Sequence, residues 1–385
     1  MKIIFEKSSL IAAVTPAMNA TSNNNTITAV EGLLFETEGI GSCRITAYDT
    51  EKGIRTSVNA QVIKEGSYII NAQKFYQIIR NMPTDEITVT VNERMNVKIE
   101  SGRSYFELHA LPGEDFPALP DLTGGVGFKI TQGQLKKFIG QTLFAIAQRD
   151  QRPIFTGMYF KIKGNELTVV TCDNYRLAKC SRKCDIEADT DNSGLDMSFI
   201  VPGKTVSELY RMIDGDEPIS ITLSNRHVIF RWGEIVFFSR LIDGEFLDYE
   251  RAIPKSPNVF VKISREELEG ALERASLIVD DKATGVWRGY IKCSFEGDRL
   301  IITSDSVSGS IYDEVPIEKK GADMEIGFNC RYLLDAVKAA DTEKLLISLT
   351  TPPPFVGISI TDGDADEAES SDFFFFVLPN NRMKQ

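Results

Sequence analysis

The sequence is poor in the residues that most enzymes and metalloproteins depend on. Its 385 residues hold two histidines, His109 and His227, each flanked by strand-like residues, which reads as half-buried strand positions rather than a catalytic base. Six cysteines occur without a CxxC pair, which gives neither a disulfide frame nor a zinc cluster. Cys180 and Cys184 lie in LAKCSRKCD, a strand leaving into a loop with no matching ligands nearby. There is no GxxxxGK[ST], GxSxG or HExxH, and no glycine fingerprint between a strand and a helix, so the common phosphate, acyl-transfer and zinc-protease chemistries lack their carriers. No run approaches the ~20 apolar residues of a membrane span, and MKIIFEKSSL is no secretory leader, so the chain is expected in the cytoplasm.

Positive charge is also in deficit. Lys and Arg number 43 against 55 Asp and Glu, a net charge of −12, which disfavours a protein that coats nucleic acid with a uniformly basic surface but permits local basic faces. Hydrophobic content of 42% and charge of 25% belong to a folded chain, and the length suits two or three domains. The acidic run DGDADEAESSD at 362–372 begins like a calcium loop. Glu367 stands where the turn glycine belongs and Phe373 where the closing acid belongs, so a solvated hairpin loop is expected and no metal or cofactor is. The following Phe373 to Phe376 reads as a buried strand.

What is present is a pattern, repeated. TQGQLKKFIGQTLFAIAQRDQR, Thr131 to Arg152, places Leu135, Phe138, Ile139, Leu143 and Ile146 on one helical face and is expected to form one amphipathic helix. Matching helices begin near Leu10, where Pro16 should kink or shorten the helix, and near Leu268. Gly32, Gly157 and Gly289 follow these anchors by 22, 22 and 21 residues, each opening a strand-like run. A second helix is anchored at Phe75, Val206 and Leu333, which lie 65, 71 and 65 residues beyond the first anchors, with apolar residues at offsets 0, 3, 4 and 7 each time. Six helices in this order indicate an internal repeat of about 130 residues. PGEDFPALPDLTGG and IDGEFLDYERAIPKSP, each with a Phe before a proline-marked exit, divide the chain into 1–125, 126–253 and 254–385. Helix, strands, helix, strands in each repeat predicts α+β domains with two helices packed on antiparallel sheets.

The second helices share a charge pattern. Five residues after each anchor stands Arg80, Arg211 or Lys338, and two before it Gln73, Lys204 or Arg331. The first helices add Lys136, Lys137, Arg265 and Arg274. One such helix reads as a solvated face; three at one position suggest a continuous basic surface, with the acids elsewhere, suited to the phosphates of a duplex. No aromatic series is interleaved for base stacking. Asp49, Asp173 and Asp305 recur after strand-like runs, which favours a shared turn over an active site. Two other readings stay open: a cytosolic enzyme with an acidic site between repeats, and a scaffold ring that holds no DNA.

SGRSYFELHALPGEDFPALP, TCDNYRLAKC, IVPGKT, LIDGEFLDYERAIP, MEIGFNCRYLLDAV and the closing VLP together resemble the bacterial DNA polymerase III beta subunits, the sliding clamps, along essentially the whole chain. The resemblance implies three similar domains per chain, a head-to-tail homodimer closed into a ring around duplex DNA, and a non-catalytic processivity factor for the replicative polymerase. Partners implied are that polymerase, an ATP-driven clamp loader and other proteins carrying a clamp-binding peptide. By family position Arg149, Arg152, Lys204, Asn329 and Tyr332 join the candidates near DNA. The peptide pocket would use Phe155, Asn174, Tyr175, Arg176, Leu177, Leu247, Phe355, Phe376, Leu378 and Pro379. The subunit interface would join Arg103, Phe106 and Leu108 to Leu277 and Ile278. Leu247 and Tyr175 replace a frequent proline and histidine, and NATSNNNT lacks the arginine usual in the first loop.

Overall fold

The computed structural model describes residues 1–22, 28–188, 196–279, 289–306, 309–350, 357–364 and 371–380. The first repeat runs β1 (Lys2–Glu6), α1 (Lys7–Ala17), β2 (Gly32–Glu38), β3 (Ser42–Tyr48), β4 (Lys52–Lys64), β5 (Ser67–Asn71), α2 (Ala72–Asn81), β6 (Glu86–Val91), β7 (Asn96–Ser101) and β8 (Ser104–Pro112). The second runs β9 (Val126–Thr131), α3 (Gln132–Thr142), β10 (Gly157–Lys163), β11 (Glu166–Cys172), β12 (Arg176–Lys183), β13 (Glu187–Ala188), β14 (Asp196–Pro202), α4 (Gly203–Met212), β15 (Pro218–Ser224), β16 (His227–Trp232) and β17 (Ile235–Arg240). The third runs β18 (Val259–Ser264), α5 (Arg265–Val279), β19 (Tyr290–Glu296), β20 (Arg299–Ser306), β21 (Gly309–Pro316), β22 (Glu318–Lys320), β23 (Met324–Asn329), α6 (Cys330–Ala339), β24 (Lys344–Leu349), β25 (Ile358–Asp362) and β26 (Phe373–Val377). The order is the same three times except that the second and third repeats add a short strand, β13 and β22, before the strand that leads into the second helix, and the fold is α+β with antiparallel sheets.

Polar residues start the helices. Asn71 caps α2 by accepting from Lys74 N at 3.0 Å, and Asn329 caps α6 by accepting from Tyr332 N at 3.2 Å. Glu6 accepts from Ser8 and Ser9 at the start of α1, and the hydroxyls and amides of these serines hold its carboxyl down to about 2. The second helices are each ten residues long, and Arg80, Arg211 and Lys338 fall in their last turns, where the helix dipole favours a cation. The recurrent charge therefore has a local structural cause as well.

The expected helix from Thr131 to Arg152 is shorter than its periodicity suggests. α3 ends at Thr142, whose φ of −120° leaves the helix, and Leu143–Ala145 form a 3-10 turn. The Thr142 hydroxyl donates back to Phe138 O at 2.8 Å, and its own carbonyl accepts from the Thr171 hydroxyl. Those bonds satisfy the helix end from within the core. Ile146 is buried by its turn, not by a helical face. α1 likewise stops one residue after Pro16.

The strand-opening glycines are explained by close approach. A Cβ on Gly32 would lie 2.3 Å from Ile69 Cγ2, and one on Gly157 2.6 Å from Ile200 Cγ2. Ile69 and Ile200 occupy corresponding strands, β5 and β14, just before the second helices. Turns repeat too: Asp49 accepts from the amides of Glu51 and Lys52, Asp173 from those of Tyr175 and Arg176. The next residues, Thr50 and Asn174, take φ of 77° and 72°. Asp305 lies within β20.

The chain separates into two compact units. One comprises 1–134, 186–192 and 207–241; the other 135–185, 193–206 and 242–385. The first contains a thirteen-stranded sheet in which β4 of the first repeat pairs with β17 of the second. The second contains a nine-stranded sheet in which β12 of the second repeat pairs with β26 of the third, and a four-stranded sheet ordered β21-β20-β19-β23. In the second unit one face of the nine-stranded sheet buries Ala178, Ile347, Ile360, Phe373 and Phe375 against α5 and α6. The residues between them on the strands face the other way.

Candidate functional site

That other face carries the candidate pocket. Across the paired strands β12 and β26, Leu177 stands opposite Phe376, both nearly fully buried, and Leu247 packs against them. The segment after β17 lies over this face and inserts Phe246, stacked on Tyr159 with centroids 4.8 Å apart and meeting the Phe155 ring edge-on at 6.4 Å. Val170, Ile200 and Tyr249 complete the cluster. Tyr175 and Leu378 stand exposed at its margin, joined by a 2.8 Å bond from Leu378 N to Tyr175 O, with Pro379 half-buried after them. Phe355 lies outside the described residues. Tyr159, Phe246 and Tyr249 escaped the sequence reading, although the Phe shared by the two proline-marked linkers was the signal for Phe246.

The polar side of the pocket is built on Arg176. Its Nε meets Asp173 Oδ2 at 2.9 Å and its Nη1 meets Asp335 Oδ2 at 2.8 Å, while the guanidinium lies 4.4 Å from the Tyr332 ring centre and 5.3 Å from that of Phe144. With 10% of its side chain exposed, this charge is held by two carboxylates and two rings. Burial, and then the Asp173 charge, push the Tyr332 phenol above its ordinary range. Asp173 is thus a partner of its own turn and of Arg176, which leaves it poorly suited to acid–base work. Asn174 is exposed at the rim, where it donates to Asp150 at 2.7 Å and accepts from Arg152. Arg152 also lies 4.2 Å over the Phe155 ring. A residue expected near DNA is therefore woven into the pocket rim. The amide and guanidinium of Arg152 hold the Asp150 carboxyl below its ordinary value.

The other candidate cations are exposed, but acids stand beside several of them. Lys137 pairs with Asp341, Arg211 with Glu208 at 3.3 Å, Arg331 with Asp335 at 3.1 Å and Lys338 with Glu273 at 2.6 Å. The expectation that acids lie elsewhere is corrected: Arg211 with Glu208 and Arg331 with Asp335 are neighbours three and four residues apart on one helix, and Lys137 with Asp341 and Lys338 with Glu273 meet between different elements. Such exposed pairs are worth roughly 0–1 kcal/mol, too little to withhold a cation from phosphate. Arg80 lies 5.5 Å over the Tyr76 ring, and Arg149 and Lys204 are exposed. Asn329 and Tyr332 are half-buried at the start of α6. His227 is half-buried as expected, whereas His109 is exposed on β8. Five cysteines are buried and Cys172 half-buried, and burial pushes the Cys180 thiol up to about 12. Among the described residues no cluster of three His, Cys, Asp or Glu side chains could hold a metal, and no helix is long and apolar enough to cross a membrane.

Residues 1–120, 129–248 and 250–368 match the family models of the N-terminal, central and C-terminal domains of the DNA polymerase III beta subunit. The beta sliding clamp of Escherichia coli is 32% identical over 384 residues, covering 98% of this chain and 99% of that one, and the beta sliding clamp of Salmonella typhimurium is 31% identical over 382. The chain belongs to the beta sliding clamp family. Among solved clamps, the DNA polymerase sliding clamp from Bacillus subtilis superposes with a TM-score of 0.90 at 26% identity, covering 99% of both chains. The DNA polymerase III subunit beta from Pseudomonas aeruginosa gives 0.88 at 28%, over 99% of this chain and all of that one.

Several sheet edges of this sliding clamp lack a neighbour among the described strands, and two of them carry exposed aromatic side chains. On β8 the stretch from Ser104 to His109 pairs with β7 alone, and β21 pairs with β20 alone. Both edges carry exposed aromatic side chains among polar ones. Phe106 is 45% and Tyr105 61% exposed on β8, with Arg103 and Leu108 beside them. Tyr312 on β21 is 63% exposed, and Leu277 at the end of α5 is 79%. Ile278 stands next to the start of β21, 3.8 Å from the position a Cβ on Gly309 would take. Tyr105 and Tyr312 were missed in the sequence because strand alternation does not say which edge lacks a neighbour.

Proposed function

We propose that two copies of this DNA sliding clamp join head to tail into a closed ring around duplex DNA, each contributing three domains, 1–125, 126–253 and 254–385. One observation carries the reading: the joint between repeats is used twice within the chain and left open a third time. β4, the third strand of the first repeat's β2-β3-β4 run, takes β17, the last strand of the second repeat, and β12 takes β26, the last strand of the third. By the same rule β21 should take β8, the last strand of a first repeat, and the two open edges belong to a contact between copies. Arg103, Phe106, Leu108, Leu277 and Ile278, with Tyr105 and Tyr312, form that contact.

Retention on DNA is then topological. Arg80, Lys137, Arg149, Lys204, Arg211, Arg331 and Lys338, with Asn329 and Tyr332, need make only weak, exchangeable phosphate contacts, which permit sliding; Arg152 serves DNA and pocket rim together. The clamp itself performs no chemistry. It tethers the replicative polymerase, the ATP-driven loader and other cytoplasmic partners through a short peptide whose apolar anchors enter the pocket of Phe155, Leu177, Leu247 and Phe376, while Asn174, Tyr175, Arg176, Leu378 and Pro379 form its margin. The test is retention on nicked circular duplex after loading, followed by linearisation. A ring leaves the linear form and stays on the circle; equal retention on both would overturn the topological reading. Charge reversal at Arg80, Lys204, Arg211 and Lys338 should cut loading and its salt dependence, and unchanged loading would favour a scaffold without DNA contacts.

A further inference from the structure

The pocket does not end at its apolar anchors. On β12 the outward positions run Leu177, Lys179, Ser181, Lys183, and on β26 they run Phe376, Phe374 in the opposite sense, with Lys179 opposite Phe374 and Asp372 just before the strand. Leu177 and Phe376 belong to the pocket. Lys179, Lys183 and Phe374 line an open groove of about 800 Å³ that continues from it along the same sheet face. Phe374 packs against the pocket cluster and lines the groove, and Lys179 lies 6.0 Å from the ring of Tyr249, another cluster member, so the two spaces share a wall. The far side is formed by the linker through Pro254, Lys255 and Pro257.

The chemistry changes along the groove. Its floor on β24 and β25 is made of hydroxyls, those of Ser348, Ser359 and Thr361, on a face that at Leu177 and Phe376 is apolar. Three lysines line it, Lys179, Lys183 and Lys255, while the Arg182 guanidinium turns to Gln141 and the Phe138 ring, and two carboxylates, Glu166 and Asp372, stand beside them, in a chain whose net charge is −12. Both carboxylates are engaged. Glu166 accepts from the Ser181 hydroxyl at 2.7 Å, and Asp372 lies 2.9 Å from Arg182 Nε, an ion-pair distance although Nε is not aligned for a hydrogen bond. No described residue forms an ion pair with Lys179, Lys183 or Lys255.

We propose that this groove is a second subsite for partner segments, which reads an acidic stretch flanking the apolar anchor through Lys179, Lys183 and Lys255. The proposal rests on the pocket reading above. From Leu177 to Lys183 the strand spans about 20 Å, enough for roughly six residues of extended partner chain. An apolar continuation would cover the Ser348 and Ser359 hydroxyls without offering them partners, and a basic one would meet like charges, so acidic and hydroxylic side chains fit best.

The test uses fluorescein-labelled probe peptides that share one short core, a glutamine followed by leucine and phenylalanine as the apolar anchors for the pocket, extended at either end by four Glu, four Ser or four Lys, and titrated with the full-length clamp by anisotropy. At low salt the Glu extension at one of the two ends should bind about fivefold or more tightly than the Ser extension there, the sum of two or three exposed ion pairs, and the gain should fade with added salt. Lys183→Glu with Lys255→Glu should abolish the gain and leave the core peptide within twofold of wild type. Equal affinities for Glu and Ser extensions at both ends, or a gain that survives the double reversal, would overturn the subsite while the pocket stands. If the core peptide itself fails to bind, the pocket reading falls and the subsite with it.

Discussion

Arg176 and Asp335 face each other at 2.8 Å, one at the margin of the pocket and the other on α6, and the second oxygen of the same carboxylate accepts from Arg331 Nε at 3.1 Å. One acid thus steadies the polar wall of the proposed pocket and a cation of the proposed DNA-binding set. Replacing it removes one of the two carboxylates that hold a nearly buried guanidinium. Asp335→Ala should lower stability by about 1–3 kcal/mol in urea unfolding and weaken core-peptide binding several-fold. Asp335→Asn, which keeps an acceptor, should do less of both.

Phe246→Ala should be among the costliest single changes on the outer sheet face. It removes the stack on Tyr159 and the edge contact to Phe155, and about 3–5 kcal/mol is expected in equilibrium unfolding, with loss of peptide binding. Phe246→Leu should keep most of the stability, since the space is still filled by an apolar side chain.

Gly32→Ala tests the close approach at the start of β2. The added carbon would sit 2.3 Å from Ile69 Cγ2, and the shift it forces should cost about 1–3 kcal/mol, read as a lower Tm. Ile69→Ala in the same chain should recover part of the clash energy, although it opens space of its own.

Acid stability should depend on Asp341. Burial would raise its carboxyl, but the hydrogen bond and charge of Lys137, with the Arg182 charge, outweigh it and leave the group below its ordinary 3.8. The unfolded chain therefore takes up this proton first. The stabilisation is complete above about pH 5 and is lost as pH falls through the lower folded value. Urea midpoints measured from pH 5 downward should fall less steeply in Asp341→Asn than in the wild type.

Tyr312→Asp should separate the copies. A charge on the open β21 edge faces apolar surface in the proposed contact, and sedimentation should report the mass of one chain where the wild type gives two. An unchanged dimer would place the contact elsewhere.

The repeat, the six helices and their apolar faces were legible in the sequence because helix periodicity and strand alternation are local properties, set by residues within a few positions of one another. Leu135, Phe138 and Ile139 are buried as their spacing requires, and Asn71 and Asn329 announce their helices as caps. Where α3 stops was not legible. Ile146 continues the helical pattern, but Thr142 ends the helix through bonds to Phe138 and to Thr171, twenty-nine residues away.

Tertiary structure alone decided three matters. It put Asp341 beside Lys137 and Glu273 beside Lys338, because these pairs join different elements, whereas Arg211 with Glu208 and Arg331 with Asp335 are local pairs on one helix. It brought Arg152 to the pocket rim, because its contacts with Phe155 and Asn174 depend on how two loops fold back. It also made one joint of three incomplete. The sequence specifies three similar units and their oily faces by local pattern, but which strand edge finds a neighbour depends on pairings between residues more than a hundred positions apart, and those exist only once the sheets are assembled.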